Sequence, residues 1–282
     1  MAARRRLDAE LVRRNLAPSR DAAKRLIESG RVLVGGAPTL KAAYQVDPAQ
    51  DVKVSGPRPR FVSRAGEKLA GALDRFPVDP SGRHCVDIGS STGGFTDCLL
   101  QRGAASVVAI DVGTHQLHEK LRSDGRVQVR EKTDFRTVKP RQFPNGISLA
   151  VGDVSFISLR LLLPALAGLD PTDSLLLIKP QFEAGRQEAS KSNGIIIDPE
   201  IWRRTLAEVL GVGAELGFIL GGLMVSPITG RAGNVEFIAH LLRDFAGEGI
   251  AALDIGQAID SAVGEASLEE TSINADRENE PS

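Results

Sequence analysis

Val86-Asp87-Ile88-Gly89-Ser90-Ser91-Thr92-Gly93-Gly94-Phe95 reads as the end of an apolar strand, a glycine-rich turn and the opening of a helix. Glycines let the backbone adopt positive φ and approach a ligand closely. In the first βα unit of a doubly wound sheet, such a turn is where a nucleotide-like ligand lies. The spacing is neither G-x-G-x-x-G, the dinucleotide fingerprint, nor G-x-x-x-x-G-K-[ST], the triphosphate loop. No Lys or Arg stands between Asp87 and Leu100, so no side chain there is suited to a phosphate. Asp111 ends the next strand, 22 positions after Gly89, where a carboxylate can accept hydrogen bonds from both hydroxyls of a ribose. S-adenosylmethionine, which carries no phosphate, suits this loop. Its candidate contacts are Asp87, Gly89, Ser90, Gly93, Gly94, Phe95 and Asp111, with Asp134 after the third strand for the adenine and Asp153 after the fourth. The bland alternative is a tight turn of purely structural use.

On either side of this turn, strands and helices alternate. Strands are expected at residues 84–88, 106–110, 127–129, 147–151, 175–178, 218–225 and 235–238. Helices are expected at 94–102, 159–169 and 201–216. Near-continuous apolar strands separated by helices indicate an α/β fold, a parallel sheet covered on both faces. In such sheets ligands gather at the carboxyl ends of the strands. Asp153 follows the fourth strand and Lys179 the fifth. Lys68, on a helix before the first strand, and Glu236, in Gly233-Asn234-Val235-Glu236, complete a polar set. A lysine that ends an apolar strand has little structural use.

A separate small α+β domain precedes this one. Leu7, Leu11 and Val12 have helical spacing, and Ser19 is placed to cap a second helix over residues 20–29, closed by Gly30. Ala22, Ala23, Leu26 and Ile27 form its inward face. Val32–Val34 reads as a strand, Gly35-Gly36 as a turn and Val52–Val54 as the return strand. Arg20 and Lys24 lie four apart on the outward face, with Arg25, Arg31 and Arg6 nearby, a stripe suited to phosphates. Residues 1–60 hold 13 basic against 6 acidic residues, and residues 246–282 hold 1 against 9, so a net charge of −1 hides a basic head and an acidic tail. The boundaries expected are 5–56 for the small domain, 57–61 for a linker with two prolines, 62–250 for the catalytic domain and 251–282 for the tail. The tail's polar end, residues 268–282, reads as disordered.

The chain has 282 residues with 42% hydrophobic and 25% charged, ordinary for a chain that buries a real core. Its longest apolar run, residues 216–225, is far short of the roughly 18 residues of a membrane span, and no apolar stretch follows Arg4-Arg5-Arg6 to make a signal peptide. The expected location is the cytoplasm, and no oligomeric state follows. Cys85 and Cys98 lack metal or redox spacing and read as inert core thiols, and no metal site is expected.

Residues 5–55 resemble an S4 RNA-binding domain, through Arg6-Leu7-Asp8, Ser19-Arg20-Asp21-Ala22-Ala23-Lys24-Arg25-Leu26-Ile27 and Gly30-Arg31-Val32-Leu33-Val34-Gly35-Gly36. Lys68, Asp153, Lys179 and Glu236 resemble the Lys-Asp-Lys-Glu tetrad of FtsJ-like ribose methyltransferases, whose fold is a Rossmann-like doubly wound sheet. From residue 5 to about 255 the chain resembles the TlyA family. The most specific matches are Val62-Ser63-Arg64-Ala65-Gly66-Glu67-Lys68-Leu69, Asp153-Val154-Ser155-Phe156-Ile157-Ser158 and Lys179-Pro180-Gln181-Phe182-Glu183. Further matches are Gly194-Ile195-Ile196-Ile197-Asp198-Pro199 and Gly233-Asn234-Val235-Glu236. Pro59-Arg60-Phe61, and Ser90-Ser91 in the loop, depart from the family pattern. The resemblance implies 2′-O-methylation of cytidine in 16S or 23S ribosomal RNA with S-adenosylmethionine, no metal, and ribosomal RNA or ribosomal subunits as partners.

The chemistry such a set can perform follows from its groups. A 2′-hydroxyl is a poor nucleophile until a base takes or shares its proton. Lysine, ordinarily protonated near ~10.4, becomes a base when a second ammonium and desolvation favour its neutral form. Lys179 is the candidate base and Lys68 that neighbour, with Asp153 and Glu236 orienting the lysines and the ribose. A base-amino methyltransferase would place [DN]-P-P-[FY] where Asp153-Val154-Ser155-Phe156 stands. A carbon-5 methyltransferase needs a cysteine at a strand's carboxyl end, where neither Cys85 nor Cys98 lies. A pore-forming haemolysin and a catalytically inactive ribosome-assembly factor are the non-enzymatic alternatives. The first lacks an inserting segment, and the second has no use for an intact loop and tetrad.

Overall fold

The computed structural model describes residues 4–17, 19–56, 59–185, 188, 192, 194–230, 232–243 and 252–278. It divides into two compact units, residues 1–58 and 59–282.

In the first unit, helix α1 (Leu7–Arg13) and helix α2 (Arg20–Glu28) pack over Val32, Val34, Val46 and Val52. Ser19 caps α2 by accepting from the Ala22 N–H at 3.2 Å. Gly30, at φ +70°, ends the turn that follows. Short strands β1 (Arg5–Arg6) and β4 (Gln45–Val46) pair antiparallel. Between the expected strand and its return strand the structure inserts another. Gly35 and Gly36 both have positive φ, so their two-residue turn joins β2 (Val32–Val34) directly to β3 (Ala37–Pro38), as such hairpin turns require. Strand β5 (Val52–Val54) pairs with the other side of β2.

The second unit is a seven-stranded sheet. Helix α3 (Ala65–Arg75) leads into strand β6 (His84–Ile88), helix α4 (Gly94–Gln101), strand β7 (Ser106–Ile110), helix α5 (Glu119–Arg122) and strand β8 (Val127–Arg130). Strand β9 (Leu149–Gly152), helix α6 (Leu163–Leu169), strand β10 (Asp173–Ile178) and helix α7 (Pro180–Glu183) follow. Helix α8 (Pro199–Glu215), strand β11 (Phe218–Val225), strand β12 (Phe237–Arg243) and helix α9 (Ile255–Glu278) complete it. The strand order is β11-β12-β10-β9-β6-β7-β8. Both faces are covered, because successive strand residues alternate between two cores. Val86, Ile88, Val108, Ile110, Ala150 and Leu176 face one core; Cys85, Val107, Ala109, Leu149, Val151 and Leu175 face the other.

The sheet is not wholly parallel, as the sequence reading had it. Strand β12 runs antiparallel to both β10 and β11. No helix separates β11 from β12, and a parallel pair needs a crossover of a dozen or more residues. A second difference lies in the tail: residues read as disordered carry helix α9 as far as Glu278. Its first turns bury Ile259, Ala262, Val263 and Ala266. Phe61 is also buried, against Gly66, where an added Cβ would come within 2.4 Å of its ring. The two cysteines are free and buried, and burial pushes each thiol up to about 12.

Candidate active site

The turn after β6 is built by its glycines. Gly89 has φ +78°, and a Cβ there would meet the Asp153 carbonyl and Val154 at 3.0 Å. The glycine turn and the loop after β9 therefore touch. Gly93, at φ +96°, would strike Leu117 and Leu121 with a side chain, and Gly94 would strike Ser63 and the backbone of Gly66. These two glycines serve packing as well as any ligand.

Asp87 is fully buried. Its Oδ2 accepts from the Thr96 N–H and hydroxyl at 3.0 and 2.6 Å, which ties the strand to helix α4. Its Oδ1 is buried with no partner. Burial pushes the carboxyl up to about 7 against the opposing Thr96 hydrogen bonds, with Asp153 and Asp111 adding repulsion. Three carboxylates thus surround a turn whose orphaned oxygen calls for a proton or a donor-bearing cation. That acidic setting fits the sulfonium and ammonium of adenosylmethionine and rejects phosphates. Asp111, just past β7, accepts from the Gly113 N–H at 2.7 Å and the Ser91 N–H at 2.8 Å. Ser90 is buried and Ser91 has φ +46°. Val112, beside Asp111, is 73% exposed, an apolar face that the sequence reading missed.

Two expected contacts are placed differently. The Phe95 ring lies in the core, so only its backbone belongs to the turn. Asp134 caps the short helix that follows β8 and forms an ion pair with Arg136 at 2.6 Å, which holds its carboxyl below the ordinary range.

The four polar residues come together as two ion pairs. Lys179 Nζ lies 2.5 Å from Asp153 and 3.0 Å from the Ser155 hydroxyl. Buried Lys68 pairs with buried Glu236. Strand register explains the placement: Ile178 stands opposite Phe237, so Lys179 and Glu236 leave the sheet side by side. The Gln181 amide donates to Glu236 at 3.3 Å, and its Oε1 is buried with no partner. Each lysine thus has a carboxylate partner; the sequence reading has Asp153 and Glu236 orienting the lysines, with Lys68 as the neighbour of Lys179. Gly230 is required here, since a Cβ would fall 2.6 Å from Glu236.

The structure adds residues whose roles the sequence reading left out. Phe156 has φ +65° and is 91% exposed. Non-glycine residues in this region cost about 1–3 kcal/mol and collect at functional sites. Its ring lies 5.0 Å from that of Phe182, over which Lys179 Nζ stands at 5.7 Å. An aromatic residue three positions after a strand-end Asp was the available signal. Among the described residues, no group of acidic, His or Cys side chains is arranged to hold a metal.

In the first unit, Arg6 and Arg20 both reach buried Asp8, at 3.1 and 2.9 Å. Hydrogen bonds from Arg6 hold the Asp8 carboxyl at about 2, against the opposing effect of burial. Lys24 lies 3.8 Å from Asp21, Arg25 is exposed, and Arg31 donates to the Ser55 carbonyl at 3.0 Å.

The family described as FtsJ-like methyltransferase matches residues 61–243, and the S4 domain matches residues 5–52. The chain is 45% identical over 244 residues to the 16S/23S rRNA (cytidine-2′-O)-methyltransferase TlyA of Mycobacterium tuberculosis, covering 86% of this chain and 91% of that one. It is 38% identical to hemolysin A of Brachyspira hyodysenteriae, covering 84% of this chain and 99% of that one. A solved structure from Streptococcus thermophilus, also named for a hemolysin, superposes with a TM-score of 0.72 at 38% identity, over 96% of this chain and 99% of that one.

Proposed function

The chain belongs to the TlyA family of FtsJ-like methyltransferases, and from that premise we propose that it methylates the ribose 2′-hydroxyl of a cytidine in 16S or 23S ribosomal RNA. The observation that carries this reading is the contact between the glycine turn and the Asp153 loop. It sets the ion-paired lysines beside the place where a cofactor would lie. S-adenosylmethionine, when bound, supplies an electrophilic methyl group.

The remaining work falls to the chain's own residues. The turn at Gly89 and Ser90 would hold the cofactor's amino-acid end, and Asp111, beside the apolar face of Val112, would accept from its ribose hydroxyls. Lys179 Nζ, after giving up its own proton, accepts that of the attacking 2′-hydroxyl, and Asp153 then holds the re-formed ammonium. Glu236 fixes Lys68, and Gln181 holds Glu236. Phe156 offers a flat face to an unstacked base, as single-stranded RNA readers do. Transfer is then a matter of aligning oxygen, methyl and sulfur. The basic first unit grips phosphates through Arg6, Arg20, Lys24, Arg25 and Arg31. Ribosomal RNA is a cytoplasmic substrate, and no helix among the described residues is long and apolar enough to cross a membrane.

The test is methyl transfer to ribosomal RNA by Lys179→Ala and Lys179→Arg. Loss of a general base costs about 10²–10⁴-fold, with cofactor affinity unchanged. Arginine should not rescue, because guanidinium stays protonated. A Lys179→Ala enzyme that turns over normally defeats the assignment.

A further inference from the structure

Glu183 is buried, 4% exposed, and the chemistry above makes no use of it. It ends helix α7, four residues after Lys179. Its Oε1 accepts from the Leu159 N–H at 2.8 Å and its Oε2 from the Ser158 hydroxyl at 2.5 Å. Arg160 donates to the Glu183 carbonyl at 3.1 Å and pairs with Glu208 at 2.7 Å. Burial raises the carboxyl above its ordinary range, and the Ser158 and Leu159 hydrogen bonds oppose this.

These bonds fasten two segments that meet nowhere in sequence. The loop 153–159 leaves β9, and the turn 179–183 leaves β10. They are joined at one end by Lys179 with Asp153 and Ser155, in the middle by the Phe156–Phe182 ring pair, and at the far end by Glu183. Loop 153–159 contains Phe156 in a strained conformation, which persists only where its surroundings over-determine it. Without the Glu183 carboxylate the Leu159 N–H loses its acceptor and Ser158 keeps only Arg160, so the far end of the loop loses two of its ties to the turn.

We propose that Glu183 is a positioning residue for methyl transfer: it locks the Asp153 loop to the Lys179 turn, so that base, carboxylate and Phe156 meet the target nucleotide as one rigid body. This rests on Lys179 and Asp153 being the reacting pair.

The experiment compares Glu183→Ala, Glu183→Gln, Ser158→Ala and Lys179→Ala in single-turnover methylation of ribosomal RNA at saturating RNA and S-adenosylmethionine. Cofactor affinity is measured by calorimetry. A displacement near 1 Å costs roughly 100-fold in rate, so Glu183→Ala should slow turnover on that scale and leave cofactor affinity unchanged. Glu183→Gln should restore most of the rate. Its amide oxygen can accept from Leu159 and its amide nitrogen can donate to the Ser158 oxygen, so geometry survives without charge. Wild-type turnover in Glu183→Ala, or a Gln variant as slow as the Ala variant, overturns the proposal. If Glu183→Ala does not fold, Ser158→Ala decides: slowed turnover with intact cofactor binding supports the clamp, and unchanged turnover overturns it. An active Lys179→Ala enzyme shows instead that the reading of the reacting pair has failed, and the clamp's role in it too.

Discussion

The two ends of the catalytic sheet each carry a cluster of charged side chains on the same strands. At the amino ends, Asp173 opens β10 and receives the Arg83 guanidinium and the His240 imidazole, both at 2.7 Å. Arg83 also donates to the Ser148 carbonyl. Burial would raise the Asp173 carboxyl, but the His240 and Arg83 hydrogen bonds outweigh it and hold it below the ordinary range. At the carboxyl ends stand Lys68–Glu236 and Lys179–Asp153. Judged by ion pairs alone, the clusters are alike. What separates them is their company. The carboxyl-end cluster adjoins a turn with an orphaned carboxylate oxygen, a backbone approach only glycine permits, and an exposed phenylalanine at positive φ. The amino-end cluster has unpartnered atoms of its own, His240 Nδ1 and Ser174 Oγ, and a tight glycine of its own, Gly221 against His240 Nδ1. Among the described residues it has no glycine turn with an exposed aromatic at positive φ beside it. Charge pairs, orphaned atoms and tight glycines mark both places; an exposed phenylalanine at positive φ beside a glycine turn marks the proposed functional one.

That contrast can be broken by mutation. After the Lys179 loss, the next largest effect should come from Asp173→Ala, which leaves Arg83 and His240 without their shared acceptor. An unsatisfied buried partner costs about 1–3 kcal/mol, to be read as a fall in unfolding free energy by denaturant titration. Residual folded enzyme should keep its cofactor affinity; a stable but inactive variant would place function at the wrong end.

Asp111→Ala should weaken S-adenosylmethionine by about 1.5–3 kcal/mol, the range for hydrogen bonds to charged groups, and leave RNA affinity largely intact. Unchanged cofactor affinity by calorimetry would move the ribose contact elsewhere.

A further effect concerns pH. Folding raises the Asp87 carboxyl to about 7, from an unfolded value near ~3.9. Between these values the folded chain holds a proton that the unfolded chain has released, so stability falls as pH rises. The contribution is complete below the unfolded pKa and lost as pH passes through about 7. Asp87→Asn should flatten that slope in denaturation curves taken across this window without cofactor; an unaltered slope would assign it to other groups.

Much of this was legible in the sequence, and the rest was hidden for physical reasons. The central strands announced themselves as apolar runs, since a sheet covered on both faces buries nearly every residue there. The glycine turn and the lysine ending β10 were visible because both break the local pattern. The direction of β12 was not visible, because an apolar run does not reveal which neighbour it pairs with. The choice of Glu236 for Lys68 and of Asp153 for Lys179 depends on strand register. The Phe156 backbone angle and the Glu183 clamp depend on contacts between loops far apart in sequence. Helix α9 was not visible because composition measures charge, while its anchors are four apolar residues, Ile259, Ala262, Val263 and Ala266, ahead of the polar end.

The most direct measurement is mass-spectrometric mapping of ribose methylation in ribosomal RNA from cells carrying the wild-type gene, Lys179→Ala or Asp173→Asn. A 2′-O-methylcytidine present with the wild type, absent with Lys179→Ala and retained with Asp173→Asn is the predicted result. Methylation that persists with Lys179→Ala would contradict the account.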